Sequence, residues 1–147
     1  MDQRLENEEA TKRLGEAVAK TLRPGDAVCL WGELGTGKST LARALIRSLT
    51  TPQEEVPSPT FTLVQTYEAP AFPIAHFDLY RLKTAQEAFE LGIDEALDEG
   101  VAVIEWPERL SGRLPQNRLD IQIEMQGDGR RVRILPRGDF EGRALGL

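Results

Sequence analysis

The sequence predicts an α/β fold with three layers, in which helices flank a mixed, largely parallel sheet that ends in a C-terminal β-hairpin. The short apolar run Ala27–Trp31 leads into a Gly-rich loop and then an amphipathic helix. A second segment, Val101–Glu105, is apolar up to Ile104 and is typical of a strand buried on both faces. Apolar and polar residues alternate over 118–125 before a turn at Gly127–Gly129 and a returning strand over Arg131–Leu135, which indicates a hairpin.

The first half of the chain predicts two helices around the strand Ala27–Trp31. Apolar residues at helical spacing place a helix over 8–22, and Pro24-Gly25 ends it. Leucines at positions 41, 45 and 49 mark a second helix, directly after the Gly-rich loop. The three prolines within residues 51–59 predict a loop.

The middle of the chain predicts two strands and two short helices. The strands are Phe61–Tyr67 and Ile74–Leu79, which are rich in β-branched and aromatic residues. A capping box at Thr84 and Glu87 opens a helix that ends at Gly92, and a second helix covers Asp94–Asp98. At the end of the chain, the last dozen residues are rich in Gly and Arg and are expected to fray.

Composition narrows the class of protein. The 147 residues fit one domain over 1–147, and the formal net charge of −6 argues against autonomous nucleic-acid binding, which usually shows a basic footprint. No apolar run has the length needed to span a bilayer, and the N-terminus is too acidic for a signal peptide. The single cysteine, Cys29, excludes an internal disulfide, so we expect a cytoplasmic protein.

The Gly-rich loop Gly32–Ser39 has the pattern G-x-x-x-x-G-K-[ST] of a phosphate-binding P-loop. Glycines allow the backbone to wrap around phosphates, and the following helix directs its positive dipole end toward them. Lys38 is expected to reach the β- and γ-phosphates, and the Ser39 hydroxyl to bind Mg²⁺. The residues predicted to contact ATP here are Glu33, Leu34, Gly35, Thr36, Gly37, Lys38, Ser39 and Thr40.

Two carboxylates are candidates for serving the metal or the attacking water. Glu105 ends the apolar run Val101–Ile104, and Asp78 ends Ile74–Phe77. Ligands bind at the carboxyl ends of strands in open α/β sheets, although a solvated acid just past a strand gives the same pattern. Because its strand looks fully buried, Glu105 is the stronger metal candidate, and Asp78 fits a water-orienting or switch role.

Other features favour ordinary structural roles. His76, the single histidine, lies on a predicted strand, and packing is the expected role of Trp31 and Trp106. Thr60 is either a switch threonine or a turn residue. The segment Asn117–Asp120 resembles the guanine signature Asn-Lys-x-Asp, but it carries Arg at the Lys position and leads into a strand. We therefore expect ATP rather than GTP.

The chain resembles the TsaE (YjeE) family, the ATPase component of bacterial tRNA threonylcarbamoyladenosine synthesis. The resemblance covers nearly the whole chain, and the ordered set of blocks is far more specific than the P-loop alone. The blocks are Gly32–Thr40, Ser58–Val64, His76–Leu82, Glu90–Gly92, Ile104–Glu108 and Leu114–Pro115.

The resemblance implies residue roles. Lys38 and Ser39 would hold phosphate and Mg²⁺, and Glu105 would make the second metal contact. Asp78 and Trp106 match positions important for activity, so the implied catalytic set is Lys38, Asp78, Glu105 and Trp106. The resemblance also places the segment around Glu8 and Thr11 near the base of the nucleotide and Arg130 against ATP.

The resemblance also implies partners. Family members assist transfer of a threonylcarbamoyl group to the adenosine beside the anticodon in tRNAs that read codons beginning with adenine. They bind the complex of the transferase and its paralogous scaffold subunit, the TsaD and TsaB types, and ATP hydrolysis resets that complex. The tRNA is reached only through the complex, and no membrane is involved. Without an assignable arginine finger, we expect hydrolysis to be slow alone and faster with partners.

Two alternatives stay open at this point. One is a small-molecule P-loop kinase, although the chain lacks an obvious Arg-rich lid and has little room for an acceptor site. The other is a non-catalytic ATP-binding module that serves assembly.

Overall fold

The computed structural model describes residues 1–147, which form one seven-stranded sheet with four α-helices and two 3-10 helices. The strands are β1 (Asp2–Leu5), β2 (Ala27–Trp31), β3 (Val64–Tyr67), β4 (Ile74–Asp78), β5 (Val101–Glu105), β6 (Arg118–Gln126) and β7 (Gly129–Arg137). The α-helices are α1 (Glu8–Ala19), α2 (Lys38–Leu49), α3 (Ala85–Glu90) and α4 (Ile93–Glu99), and the 3-10 helices cover Pro107–Leu110 and Gly138–Gly142.

The sheet has the order β1-β7-β6-β2-β5-β4-β3. The four central strands, β6, β2, β5 and β4, run parallel, whereas β3, β7 and β1 join antiparallel at the two edges. This confirms the predicted mixed sheet with a parallel centre and a C-terminal hairpin. The register pairs Glu105 with Asp78 on one side and with Leu30 on the other. The carboxyl ends of the parallel strands β4, β5 and β2 therefore lie side by side at the same end of the sheet.

Two hydrophobic layers lie on opposite faces of the sheet. Alternate residues of β2 point to opposite faces, so Val28 and Leu30 join the larger cluster while Ala27 and Cys29 join the smaller one. The larger cluster includes the apolar faces of α1 and α2, and the smaller one includes residues of α3, α4 and Pro107–Leu110. The arrangement is the predicted three-layer fold. None of its helices combines the length and apolar character required to cross a membrane.

Helices α1 and α2 approach each other closely at Gly15. A Cβ atom added there would lie 2.8 Å from the Ala44 Cβ and 3.0 Å from the Leu45 backbone nitrogen. The missing side chain therefore sets the distance between the two helices. The contact lies at residues 41–45, in the middle of α2.

Several predicted boundaries differ from the structure. Helix α1 ends at Ala19 rather than at residue 22, and strand β4 ends at Asp78 rather than at Leu79. Strand β3 begins at Val64 rather than Phe61, because residues 60–63 turn and Leu63 has a positive φ of 70°. Strand β1 was not predicted, since its sequence is polar and only Leu5 is buried.

The expectation that the last dozen residues fray is wrong. Phe140 is fully buried, and Arg143 donates to the Asp26 carboxylate at 2.6 Å and to the Thr21 carbonyl oxygen at 2.9 Å. The Asp26 and Arg143 side chains are 4% and 6% exposed, so this pair is an interior contact. Glycine and arginine content alone did not reveal it, because the partner lies more than a hundred residues away.

Candidate functional site

The Gly-rich loop connects the carboxyl end of β2 to the first residue of α2. Gly37 caps the helix with φ 105°, in the left-handed region that favours glycine, and no side chain caps the helix. The first backbone N–H groups of α2 are thus left for another acceptor, and a helix N-terminus favours an anion there. This local geometry can accept a phosphate or another anion.

Lys38 is held at this loop by its own surroundings. Its ammonium donates to the Gly32 carbonyl oxygen and lies over the Trp106 ring, 3.4 Å from the ring centroid. Burial lowers the pKa of Lys38, while the nearby carboxylates, Glu105 foremost, act to raise it. A cation in these surroundings has lost most of its hydration, and an incoming phosphate would offer it charged oxygen acceptors.

The Ser39 hydroxyl and the Glu105 carboxylate face each other across the start of α2. Ser39 Oγ lies 3.5 Å from Glu105 Oε1, and Glu105 is buried at the carboxyl end of β5. A hydroxyl and a carboxylate are oxygen donors of the kind that Mg²⁺ prefers. No group of three or more His, Cys, Asp or Glu side chains is placed to hold a metal by itself. Such a pair fits a Mg²⁺ ion that takes its other ligands from phosphates and water.

His76 contacts the second oxygen of the same carboxylate. Its Nε2 lies 2.6 Å from Glu105 Oε2, and both side chains are at most 3% exposed. His76 was expected to have a structural role, and its contact is with a candidate metal ligand. A sequence signal for this pairing existed. Once β4 and β5 are taken as parallel neighbours, residues 76 and 78 of β4 share a face with Glu105.

Asp78 lies beside Glu105 and is fixed through both oxygens. Oδ1 accepts from the Tyr80 backbone N–H at 3.0 Å, and Oδ2 accepts from the Thr60 hydroxyl at 3.3 Å. Ser58 in turn contacts Thr60, with their hydroxyl oxygens 2.9 Å apart. The loop before β3 is therefore connected to the site through Thr60, which makes more than a local turn contact.

Trp106 follows Glu105 with an unusual backbone conformation. Its φ of 61° and ψ of 51° are left-handed, which is rare for a bulky residue and found where surrounding structure enforces it. The ring packs at 4.8 Å and 53° against Tyr80 and carries Lys38 over its face. Trp106 therefore positions a site residue, which goes beyond the ordinary packing role expected from the sequence.

Glu8, Thr11 and Arg130 come together on the other side of the loop. With Thr36, Gly37 and Thr40, they line a cavity of about 180 Å³. Arg130 Nε donates to the Thr36 carbonyl oxygen at 2.7 Å. The hairpin arginine thus supports the loop directly, and its contact with ATP stays a prediction.

The remaining predicted contacts are peripheral. Glu33 and Leu34 lie on the outer side of the loop, where the Leu34 side chain is 68% exposed. The Asn117 carbonyl oxygen accepts from the backbone N–H of Ala27, at the amino end of β2. The Gly-rich loop follows the opposite, carboxyl end of that strand. Asp120 is buried and accepts from Trp31 Nε1 at 2.9 Å and from Arg118 Nε at 3.1 Å. A structural role for Asn117–Asp120 agrees with the interpretation that it is not a guanine site.

Comparisons with known proteins all point to the same family. The family model described as "Threonylcarbamoyl adenosine biosynthesis protein TsaE" matches residues 5–133. A Rickettsia bellii protein named tRNA threonylcarbamoyladenosine biosynthesis protein TsaE is 41% identical over 128 residues, covering 87% of this chain and 89% of that protein. The Bacillus subtilis protein of the same name is 37% identical over 129 residues, covering 87% and 80%.

A solved structure supports the fold. The crystal structure of Bacillus subtilis YdiB matches with a TM-score of 0.79 and 30% sequence identity, covering 96% of this chain and 88% of that one. The likeness confirms the P-loop type of α/β fold predicted from the order of strand, Gly-rich loop and helix.

Proposed function

Because the chain belongs to the TsaE family of threonylcarbamoyl adenosine biosynthesis proteins, we propose that it is the ATP-hydrolysing component of this tRNA modification. It would bind Mg-ATP and reset the transferase complex that modifies tRNAs reading codons that begin with adenine. The observation that carries the ATPase proposal is the meeting of Ser39 and Glu105 at the end of the Gly-rich loop. These two oxygen ligands would hold a Mg²⁺ ion, which would supply positive charge to the phosphates of the nucleotide.

Each part of the site has a role in the proposal. Lys38 would exchange the Gly32 carbonyl oxygen for a phosphate oxygen while the Trp106 ring keeps its ammonium in place. Ser39 and Glu105 would hold Mg²⁺, which when bound neutralises charge developing on the phosphates. Asp78, whose carboxylate is fixed by Thr60 and the Tyr80 N–H, would orient the attacking water.

The same geometry supports slow hydrolysis by the chain alone. Arg130 is the arginine at the loop, and its guanidinium is already engaged by the Thr36 carbonyl oxygen. An arginine that stabilises transition-state charge can contribute 10³-fold or more to turnover, so a partner that supplies the missing charge would raise the rate strongly.

The surface around the loop supports docking of partners. Leu34, Phe61 and Tyr80 are 68%, 80% and 39% exposed, although all three are large and apolar or aromatic. We propose that the transferase and scaffold subunits, of the TsaD and TsaB types, cover this surface. The net charge of −6 fits a protein that leaves tRNA binding to those partners. A protein with this role would work in the cytoplasm, and the one free, buried cysteine agrees with a reducing compartment.

The test is phosphate release, measured for the chain alone and with the transferase complex. We expect Lys38→Ala to lower ATP affinity at least about tenfold, and Asp78→Ala to keep binding but slow hydrolysis about 100-fold. Asp94→Ala on α4, an exposed aspartate, is the control and should leave both quantities unchanged.

Three outcomes would contradict the proposal. An unchanged rate on adding the transferase complex would remove the partner-driven cycle. Normal tRNA modification with Asp78→Ala would favour a non-catalytic assembly module. Rapid transfer of phosphate to a metabolite without partners would instead indicate a kinase.

A further inference from the structure

His76 is a buried titratable side chain that the proposed ATPase mechanism does not use. It lies on β4, two residues before Asp78, and its side chain is 2% exposed. Its one polar contact is the Glu105 carboxylate, through Nε2 to Oε2 at 2.6 Å. A histidine placed this deeply against a candidate metal ligand requires an explanation.

The Glu105 carboxylate is oriented through its two oxygens. Oε2 is taken by His76, while Oε1 faces the Ser39 hydroxyl at 3.5 Å. Because β5 fixes only the backbone of Glu105, the side-chain torsions need a second anchor. The His76 contact supplies that anchor on the side of the carboxylate that faces away from Ser39.

We propose that His76 is a positioning residue for the metal site: its Nε2–H holds Glu105 so that Oε1 is directed at Ser39 and the cation. The inference rests on the proposed Mg-ATP site. A hydrogen bond to a ligating carboxylate commonly fixes ligand orientation and raises metal affinity.

The surroundings of the other ring nitrogen agree with this assignment. His76 Nδ1 is buried and has no hydrogen-bond partner. In the neutral tautomer protonated at Nε2, Nδ1 is a bare acceptor, and Nε2–H donates to the carboxylate. The opposite tautomer would leave a buried Nδ1–H without an acceptor and would set the Nε2 lone pair against a carboxylate oxygen, so it is the less favourable one.

Two amide variants separate positioning from simple space filling. The side-chain NH₂ of Gln extends to the position of Nε2, whereas that of Asn reaches only the position of Nδ1. His76→Gln therefore keeps a donor toward Glu105, and His76→Asn is a polar control that lacks it. Both are compared with the parent for ADP affinity in EDTA, and for Mn²⁺ affinity of the ADP-loaded protein by electron paramagnetic resonance.

We expect His76→Asn to weaken Mn²⁺ binding about 10- to 100-fold, and His76→Gln to stay within about threefold of the parent, as found for other partners of metal ligands. ADP affinity in EDTA should be unchanged in both. A purely structural role would lower the unfolding temperature of His76→Asn but leave Mn²⁺ affinity at the parent value, which would overturn the proposal.

The remaining outcomes are also decisive. If His76→Asn does not fold, the Mn²⁺ affinity of His76→Gln becomes the test. An affinity near that of the parent supports the proposal, and a tenfold loss in the folded variant contradicts it. Failure of the proposed function is recognised separately, because the parent would then bind neither ADP nor Mn-ADP. Parent-like Mn²⁺ affinity in His76→Asn, with a parent that binds Mn-ADP, rejects only the role of His76.

Discussion

At the residue scale, burying the Lys38 ammonium in the candidate binding site costs the nucleotide-free protein stability. The side chain is 4% exposed, and burial lowers its pKa, so the charged form is disfavoured in the nucleotide-free protein. We expect Lys38→Met to increase the free energy of unfolding without nucleotide by on the order of 1 kcal/mol while lowering ATP affinity at least about tenfold. Urea denaturation with and without Mg-ATP measures both effects. Lower stability of Lys38→Met would show that the contacts with Gly32 and Trp106 outweigh the cost of burial.

The lowered pKa of Lys38 also makes the free energy of unfolding depend on pH, and the direction of the pKa shift determines the sign of that dependence. Because the folded pKa of Lys38 lies below its unfolded value of 10.5, the unfolded chain binds more protons between the two values, and stability rises with pH across that window. Tyr67 and Cys29 act in the opposite direction, because burial raises the pKa of each. The stability difference between the parent and Lys38→Met isolates Lys38, and it should shrink as pH increases toward 10.5.

Individual site residues differed in how far the sequence could predict them. The spacing of the Gly-rich motif and the ends of two apolar runs were enough to select Lys38, Ser39, Asp78 and Glu105, since local sequence determines both features. The contact of His76 with Glu105 and that of Trp106 with Lys38 depend on how strands and loops meet. The contact of His76 can be inferred only once β4 and β5 are taken as parallel neighbours, and Trp106 was marked by the family resemblance alone. The residues by themselves therefore favoured ordinary packing for both.

At the element scale, the contact between α1 and α2 at Gly15 determines where Glu8 and Thr11 lie relative to the loop. We expect Gly15→Ala to destabilise the protein by about 1–3 kcal/mol, because the added methyl group meets Ala44 and the backbone of α2. The higher helix propensity of Ala offsets up to about 1 kcal/mol of this. Arg13→Ala, an exposed change on the same helix, should stay within about 0.5 kcal/mol in the same urea titrations.

A stable Gly15→Ala variant would mean that α1 can shift outward freely. ATP affinity then becomes informative, because such a shift would widen the cavity formed by Glu8, Thr11 and Arg130.

Elements with strong periodicity were predicted well, and those without it were not. Strands β2 and β5 match their predicted bounds because the apolar runs Ala27–Trp31 and Val101–Ile104 mark them. Strand β6 also matches closely, although its buried Asp120 and exposed Met125 depart from the regular alternation. Strand β1 has no apolar pattern and exists because β7 offers it a pairing edge. Its formation is a tertiary effect that sequence periodicity cannot show.

At the scale of the whole molecule, Arg143 and Asp26 tie the C-terminal segment to the turn before β2. Removing the arginine would leave a buried carboxylate without its partner, so we expect Arg143→Met to destabilise the fold by about 3–5 kcal/mol. Arg131→Met, which removes an arginine from half-exposed pairs with Asp2 and Glu124, should cost less than about 1 kcal/mol.

Chemical denaturation of both variants checks this prediction. Equal stabilities for the two variants would show that the C-terminal segment contributes little. A double variant that also changes Asp26→Asn should recover part of the loss, because the unpaired charge is then removed.

The pairing of β1 with β7 has a consequence for synthesis on the ribosome. Residues 2–5 emerge long before their partners, residues 130–133. At about 5–20 residues per second, β1 waits roughly 6–25 seconds for its neighbour to be made. During that time the strand is a free edge, and its charged residues Asp2 and Arg4 discourage pairing with other nascent chains. Strand β1 is thus secured only after residues 130–133 have been made, and Glu8, Thr11 and Arg130 come together no earlier than that.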